Sequence, residues 1–159
     1  MFNFSDIWIF ILALLLTLPL VTAIHQAGHV FFARIFGGKI KFAIGAGKTI
    51  IRIGPLEIKR IYFMDGWCQY SDISVNKKWA HLLIYFGGSL FNIASILIVN
   101  SLIHMGVLPV HLFFYQFVYF SIYLVFFSLF PLQYRDGHPS DGKAIYDLVK
   151  YGKREDPVD

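Results

Sequence analysis

All fourteen lysines and arginines of this chain fall into two stretches, and that partition constrains its fold more than any other feature. Arg34, Lys39, Lys41, Lys48, Arg52, Lys59, Arg60, Lys77 and Lys78 separate a first long apolar run from a second, and Arg135, Lys143, Lys150, Lys153 and Arg154 follow a third. The runs cover about residues 7–36, 79–103 and 110–132. At about 1.5 Å per residue each is long enough to cross the apolar layer of a bilayer as a helix. A hydrophobic content of 57% and a mean hydropathy of +0.59 exceed what an ordinary soluble core needs. The chain therefore reads as a single-domain (1–159), multi-pass integral membrane protein, mainly α, with three transmembrane helices.

The side that carries the cations faces the cytoplasm, so the N-terminus lies outside and both charged stretches lie inside, in a bacterial cell membrane. The net charge of +4 is accounted for by this topology and calls for no nucleic-acid partner. The first run has no basic leader and no small-residue cleavage site, which argues against a signal peptide. Pro19 falls inside it and should kink or loosen the turn before it. The lone Cys68 excludes an internal disulfide.

Between the first two helices, residues 38–72 change character, with glycines at 37, 38, 45, 47, 54 and 66 set among β-branched and aromatic residues. Partial alternation over 39–44, 49–53 and 56–63 predicts short strands separated by glycine turns. A membrane-associated β-hairpin or small sheet follows, whose edge can pair with an extended chain. After the third helix come an Asp-Gly-rich loop and an amphipathic helix over Lys143–Tyr151, then a polar tail, 152–159.

The chemistry concentrates in His25-Gln26-Ala27-Gly28-His29, at the end of the first apolar run. Histidines four apart share one helix face, so both imidazoles can reach one metal ion. Ionisable side chains in a membrane span are costly unless they face protein or water. Catalytic zinc usually takes three protein ligands. A carboxylate is the expected third, and both Asp136-Gly137 and Asp141-Gly142 lie on the same side of the membrane as the histidines. Asn92 sits in the middle of the second span and needs a hydrogen-bond partner there. His138 is a further loop histidine, while His81, His104 and His111 fall near span ends.

In the order of these features the chain resembles the site-2 protease family of intramembrane zinc metalloproteases over nearly its full length. The histidine motif, the β segment, the Gly-x-x-x-Asn of Gly88 to Asn92 and the later Asp-Gly follow one another as they do in that family. The resemblance favours Asp141 over Asp136 as third ligand, because Pro139-Ser140-Asp141-Gly142 matches the family's Pro-x-Asp-Gly. It also implies that the β segment, including Ile50, Ile51, Arg52 and Ile53, binds an unwound transmembrane or hydrophobic peptide by strand addition. Asn92, with Gly88, would steady that peptide near Zn2+.

The departure is Gln26, which stands where the family has its glutamate general base. An amide has the size of glutamate but cannot hold the proton of the attacking water. The expectation is a zinc endopeptidase architecture that binds membrane peptides, with turnover lost or strongly reduced in this chain. An engineered inactive form is favoured by the isosteric swap; a natural pseudoprotease that sequesters a membrane peptide is the alternative, and a small transporter or channel subunit is a third.

Overall fold

The chain runs through α1 (Phe4–Ile35), β1 (Lys39–Ile53), β2 (Leu56–Ser71), α2 (Lys78–His104), α3 (Leu112–Leu129) and α4 (Asp141–Tyr151). This computed structural model describes residues 4–134 and 137–153, so Asp136 lies outside the described residues. Ile7–Ile35, Lys78–His104 and Leu112–Leu129 are long and apolar enough to cross a membrane. Their outer faces stay apolar, as expected of helices that need no polar side.

The helix ends follow local chemistry. α1 runs unbroken through Pro19. α3 is shorter than the 110–132 expected from hydropathy. His111 caps its start by accepting from the Phe113 amide, 3.2 Å away. At its end Phe130 turns extended (φ −71°, ψ 127°) because it precedes Pro131, which disfavours the helical conformation in the residue before it. α4 starts at Asp141, two residues before the expected Lys143, because the Ser140 hydroxyl caps it by accepting from the Lys143 amide.

β1 and β2 pair antiparallel around a turn at Gly54-Pro55. The expected glycine breaks at 45 and 47 are not breaks: both residues lie inside β1 with φ of +96° and +87°. They bend the strand instead of ending it. A Cβ at Gly45 would come within 2.6 Å of the Tyr62 Cα, so the bend depends on glycine. Likewise β2 continues past Phe63 to Ser71. The bent hairpin folds over itself, leaving Phe42–Ile44 flanked by Gly66–Cys68 on one side and Leu56–Ile58 on the other, a local sheet of three segments.

Two apolar clusters hold the elements together. Ala33 and Phe36 of α1, Tyr70 of β2, Ala80, Ile84 and Tyr85 of α2, and Ala144 and Leu148 of α4 form the larger. Val21 of α1 packs with Phe117 and Phe120 of α3 in the smaller. The helices meet without intervening side chains at glycine. A Cβ on Gly28 would lie 2.2 Å from the Gly87 carbonyl oxygen, and one on Gly142 would lie 1.9 Å from that of Leu129. The first contact sets α1 against α2, and the second sets the start of α4 against the end of α3. Ser89 and Ser128 share a buried hydrogen bond of 2.9 Å between α2 and α3, a usual tie between apolar helices.

The Gly28→Ala variant should lose about 1–3 kcal/mol of stability, the usual cost of overpacking, read as a lowered unfolding midpoint in detergent. Leu97→Ala, on an exposed face of α2, should change stability by less than about 0.5 kcal/mol. An unaltered midpoint for Gly28→Ala would contradict the helix contact.

Candidate metal centre

Three elements distant in sequence deliver one polar cluster. α1 contributes His25 and His29, one turn apart, with ring centroids 4.8 Å from each other and nearly edge to face. α4 contributes Asp141 from its first residue. One oxygen of that carboxylate, Oδ2, lies 3.1 Å from His25 Nε2 and 3.4 Å from His29 Nε2. All three side chains are buried. Asp141 reaches this depth because Ser140 anchors the turn before it. The Ser140 hydroxyl donates to the Phe130 carbonyl at 2.6 Å and accepts from the Leu132 amide at 3.0 Å.

The donor set fits a small divalent cation. Ligands at about 2.0–2.2 Å around a tetrahedral ion stand about 3.4 Å from one another; two of the three separations here, 3.1 and 3.4 Å, are close to that edge, and all three donor atoms lie within 4.8 Å of one another. The hydrogen-bond chemistry agrees. His29 Nδ1 lies 2.7 Å from the Ile84 carbonyl oxygen, which can only accept, so Nδ1 carries the hydrogen. In a neutral His29 the Nε2 lone pair would then face Asp141 Oδ2, two electron-rich atoms that need a proton or a metal cation between them. Asp141 Oδ1 is buried with no hydrogen-bond partner, a cost that coordination would remove. Burial alone would push the Asp141 carboxyl up, but a proton carried on the facing imidazoles outweighs it and holds the group below the usual carboxylate range.

Space for the ion comes from α2. A Cβ added at Gly88 would lie 2.5 Å from His25 Nε2 and 2.5 Å from His29 Nε2, close to where an ion bound by both would sit. Gly88 is thus the wall of the cavity, and any side chain there would fill it. Four residues along α2, the buried Asn92 points Nδ2 at His25 Nδ1, 3.3 Å away. Gln26 is also buried, with its Oε1 lacking a hydrogen-bond partner. Its Nε2 would lie 3.0 Å from a Cβ at Gly66, so β2 passes directly over the amide.

The structure brings together His25, Gln26, His29, Gly88, Asn92 and Asp141. Ile50, Ile51, Arg52 and Ile53 stand elsewhere, on the outer arm of β1 beside the turn; the three isoleucines are exposed and Arg52 pairs with Glu57. The part of the hairpin next to the cluster is Gly66, whose strand neighbour is Ile44. Sequence reading missed Gly66, the Ile84 carbonyl and the clearance role of Gly142. Only Gly66 left a signal, since an isolated glycine inside a strand marks close backbone approach. His81 binds Tyr70 and Asn76 away from the cluster. His104 ends α2 and His111 caps α3. The His138 carbonyl accepts from the Tyr134 amide.

These features define a membrane protein with three candidate spans, a small antiparallel sheet and a buried His-His-Asp cluster at their junction. The chain is 47% identical over 154 residues to the uncharacterized membrane protein YwmF of Bacillus subtilis (strain 168), covering 97% of each, and it belongs to the same family. It is also 27% identical over 127 residues to a Borreliella burgdorferi (strain ATCC 35210 / DSM 4680 / CIP 102532 / B31) protein named "Putative zinc metalloprotease"; that match takes in 61% of this chain and 28% of the relative. No family model and no solved structure matches the chain.

Gly88→Ala tests the cavity directly. Metal content of the detergent-purified variant should fall to background, with the protein still folded and monodisperse. Retention of one ion per chain would place the ion away from α2.

Proposed function

We propose that this chain is a membrane-embedded zinc metallopeptidase of the site-2 protease type, with His25, His29 and Asp141 as the ligands of Zn2+. The observation that carries the reading is the approach of both histidine Nε2 atoms to one oxygen of Asp141, across a cavity that Gly88 keeps clear. The distant relative named as a zinc metalloprotease supports the same reading. Bound zinc would act as a Lewis acid on a peptide carbonyl and make water a stronger nucleophile near neutral pH.

Each nearby residue then has a task. His29 is held in register by the Ile84 carbonyl, and His25 by Asn92. Gln26 occupies the position from which a carboxylate would take the proton of the attacking water. Its Oε1 can accept a hydrogen bond from water but has no useful basicity, so the chain as written binds peptide and turns it over slowly or not at all. The peptide's approach is supported by an open apolar groove of about 580 Å³ between α1, α2 and the hairpin. Ala23, Ala27, Phe31, Phe42 and Ile44 line it, and Arg34 is its charged lining residue. An unwound segment of a membrane protein, or a short apolar peptide, suits such a lining. The segregation of cations supports a cytoplasmic hairpin and C-terminus with the N-terminus outside.

A second reading is a natural member that captures a membrane peptide without cutting it. The packing of the Gln26 amide beneath Gly66 favours it, because a neutral group is tolerated there without a charge partner.

Zinc analysis of the purified protein should give about one ion per chain, lost in His29→Ala and in Asp141→Ala. The Gln26→Glu variant, given a fluorescence-quenched library of apolar peptides in detergent, should cleave at least about 100-fold faster than the parent. Zinc without any gain in cleavage would favour the capturing reading. No zinc in the parent, purified without chelator, would sink both.

A further inference from the structure

The two histidines are not equally prepared for a metal. His29 is already oriented for one, with hydrogen on Nδ1 and Nε2 facing Asp141. His25 is in the opposite tautomer. Its Nε2 lies 3.1 Å from Asp141 Oδ2, an acceptor, while its Nδ1 lies 3.3 Å from Asn92 Nδ2, a donor. Hydrogen therefore sits on His25 Nε2, the nitrogen that would have to bind the ion. For Nε2 to coordinate, the hydrogen must reside on Nδ1, and Nδ1 must then find an acceptor where it now has a donor.

Asn92 holds that acceptor on the same side chain. Its Oδ1 is buried and without a hydrogen-bond partner, and a half-turn of the carboxamide exchanges Oδ1 with Nδ2. We infer that Asn92 is a positioning residue for the metal centre: on zinc binding its carboxamide turns over, and Oδ1 accepts the His25 Nδ1–H that fixes the metal-binding tautomer. No covalent bond changes apart from the position of one imidazole hydrogen, which leaves Nε2 to solvent as Nδ1 gains one. Partners of this kind typically contribute 10–100-fold to metal affinity.

This rests on the zinc reading above, and the test separates the two. Zinc affinity is measured by competition with a chromogenic chelator for the parent, Asn92→Leu and Asn92→Asp, all of similar side-chain size. Asn92→Leu should bind about 10–100-fold more weakly. Asn92→Asp, which keeps an acceptor but has no N–H, should stay within about threefold of the parent. Ser89→Ala, which removes the α2–α3 hydrogen bond without touching the cluster, should bind zinc like the parent and so control for loosening of α2. Parent-like affinity in Asn92→Leu, or equal weakening in Asn92→Leu and Asn92→Asp, would overturn the role and leave the zinc site standing. In the unaltered protein labelled with 15N-asparagine, the Asn92 carboxamide resonance should shift on adding zinc; a zinc-loaded protein in which it does not move would overturn the role as well. Absence of zinc uptake by the parent would overturn both readings.

Discussion

The meeting of one carboxylate with two imidazoles in an apolar interior is the constraint on which the rest of this structure depends. A buried ionised carboxylate is costly unless its charge is matched, and Asp141 finds its match only if the start of α4 reaches the end of α1. That requirement explains the glycines. Gly142 lets α4 press on the Leu129 carbonyl, Gly28 and Gly87 let α1 and α2 touch backbone to backbone, and Gly88 leaves open the volume facing both Nε2 atoms. Each is a missing Cβ at a point where the polar cluster demands a short distance. The larger apolar cluster then locks the arrangement, because it joins α1, β2, α2 and α4 around the same junction.

Much of this was legible in the sequence, for reasons that can be named. Helix periodicity places side chains four apart on one face, so His25 and His29 announce their pairing without any structure. Charge segregation predicts an odd number of spans between the N-terminus and the C-terminal tail, which would put Asp141 on the side of the histidine end of α1. Other parts were illegible. The acceptor for His29 is the backbone carbonyl of Ile84, and a carbonyl has no residue type to betray it. Gly45 and Gly47 read as turns because glycine favours both turns and bent strands; only the approach of Tyr62 shows that the strand continues. The resemblance pointed to Ile50–Ile53 as a binding edge; these residues lie on the outer arm of the hairpin while Gly66 and Ile44 lie beside the cluster, a distinction that alternation along a strand cannot draw.

Under the proposed zinc reading, Gln26 separates two properties that such a site combines. Coordination depends on the ligands, their orienting contacts and the open volume at Gly88, none of which involves the residue after His25. Proton transfer depends on that residue alone. An amide of equal size can thus fill the position while the metal cavity, the groove and the hairpin contact at Gly66 stay as they are. The buried Oε1 of Gln26 has no protein donor within reach, as expected of an oxygen that, under this reading, would accept from water.

The unlike settings of the two histidines carry the argument one step further. A backbone carbonyl is fixed in direction and can only accept, so Ile84 commits His29 to one tautomer whether or not an ion is present. A carboxamide presents a donor and an acceptor on one pivot, so Asn92 can serve His25 in either tautomer. Had both histidines been held by carbonyls, both Nε2 lone pairs would face the Asp141 carboxylate in the absence of metal, three electron-rich atoms in a buried space with no hydrogen among them. With one carbonyl and one carboxamide, the proposed turn of Asn92 would give Asp141 Oδ2 a donor on His25 Nε2 in one setting and leave both Nε2 atoms to an ion in the other.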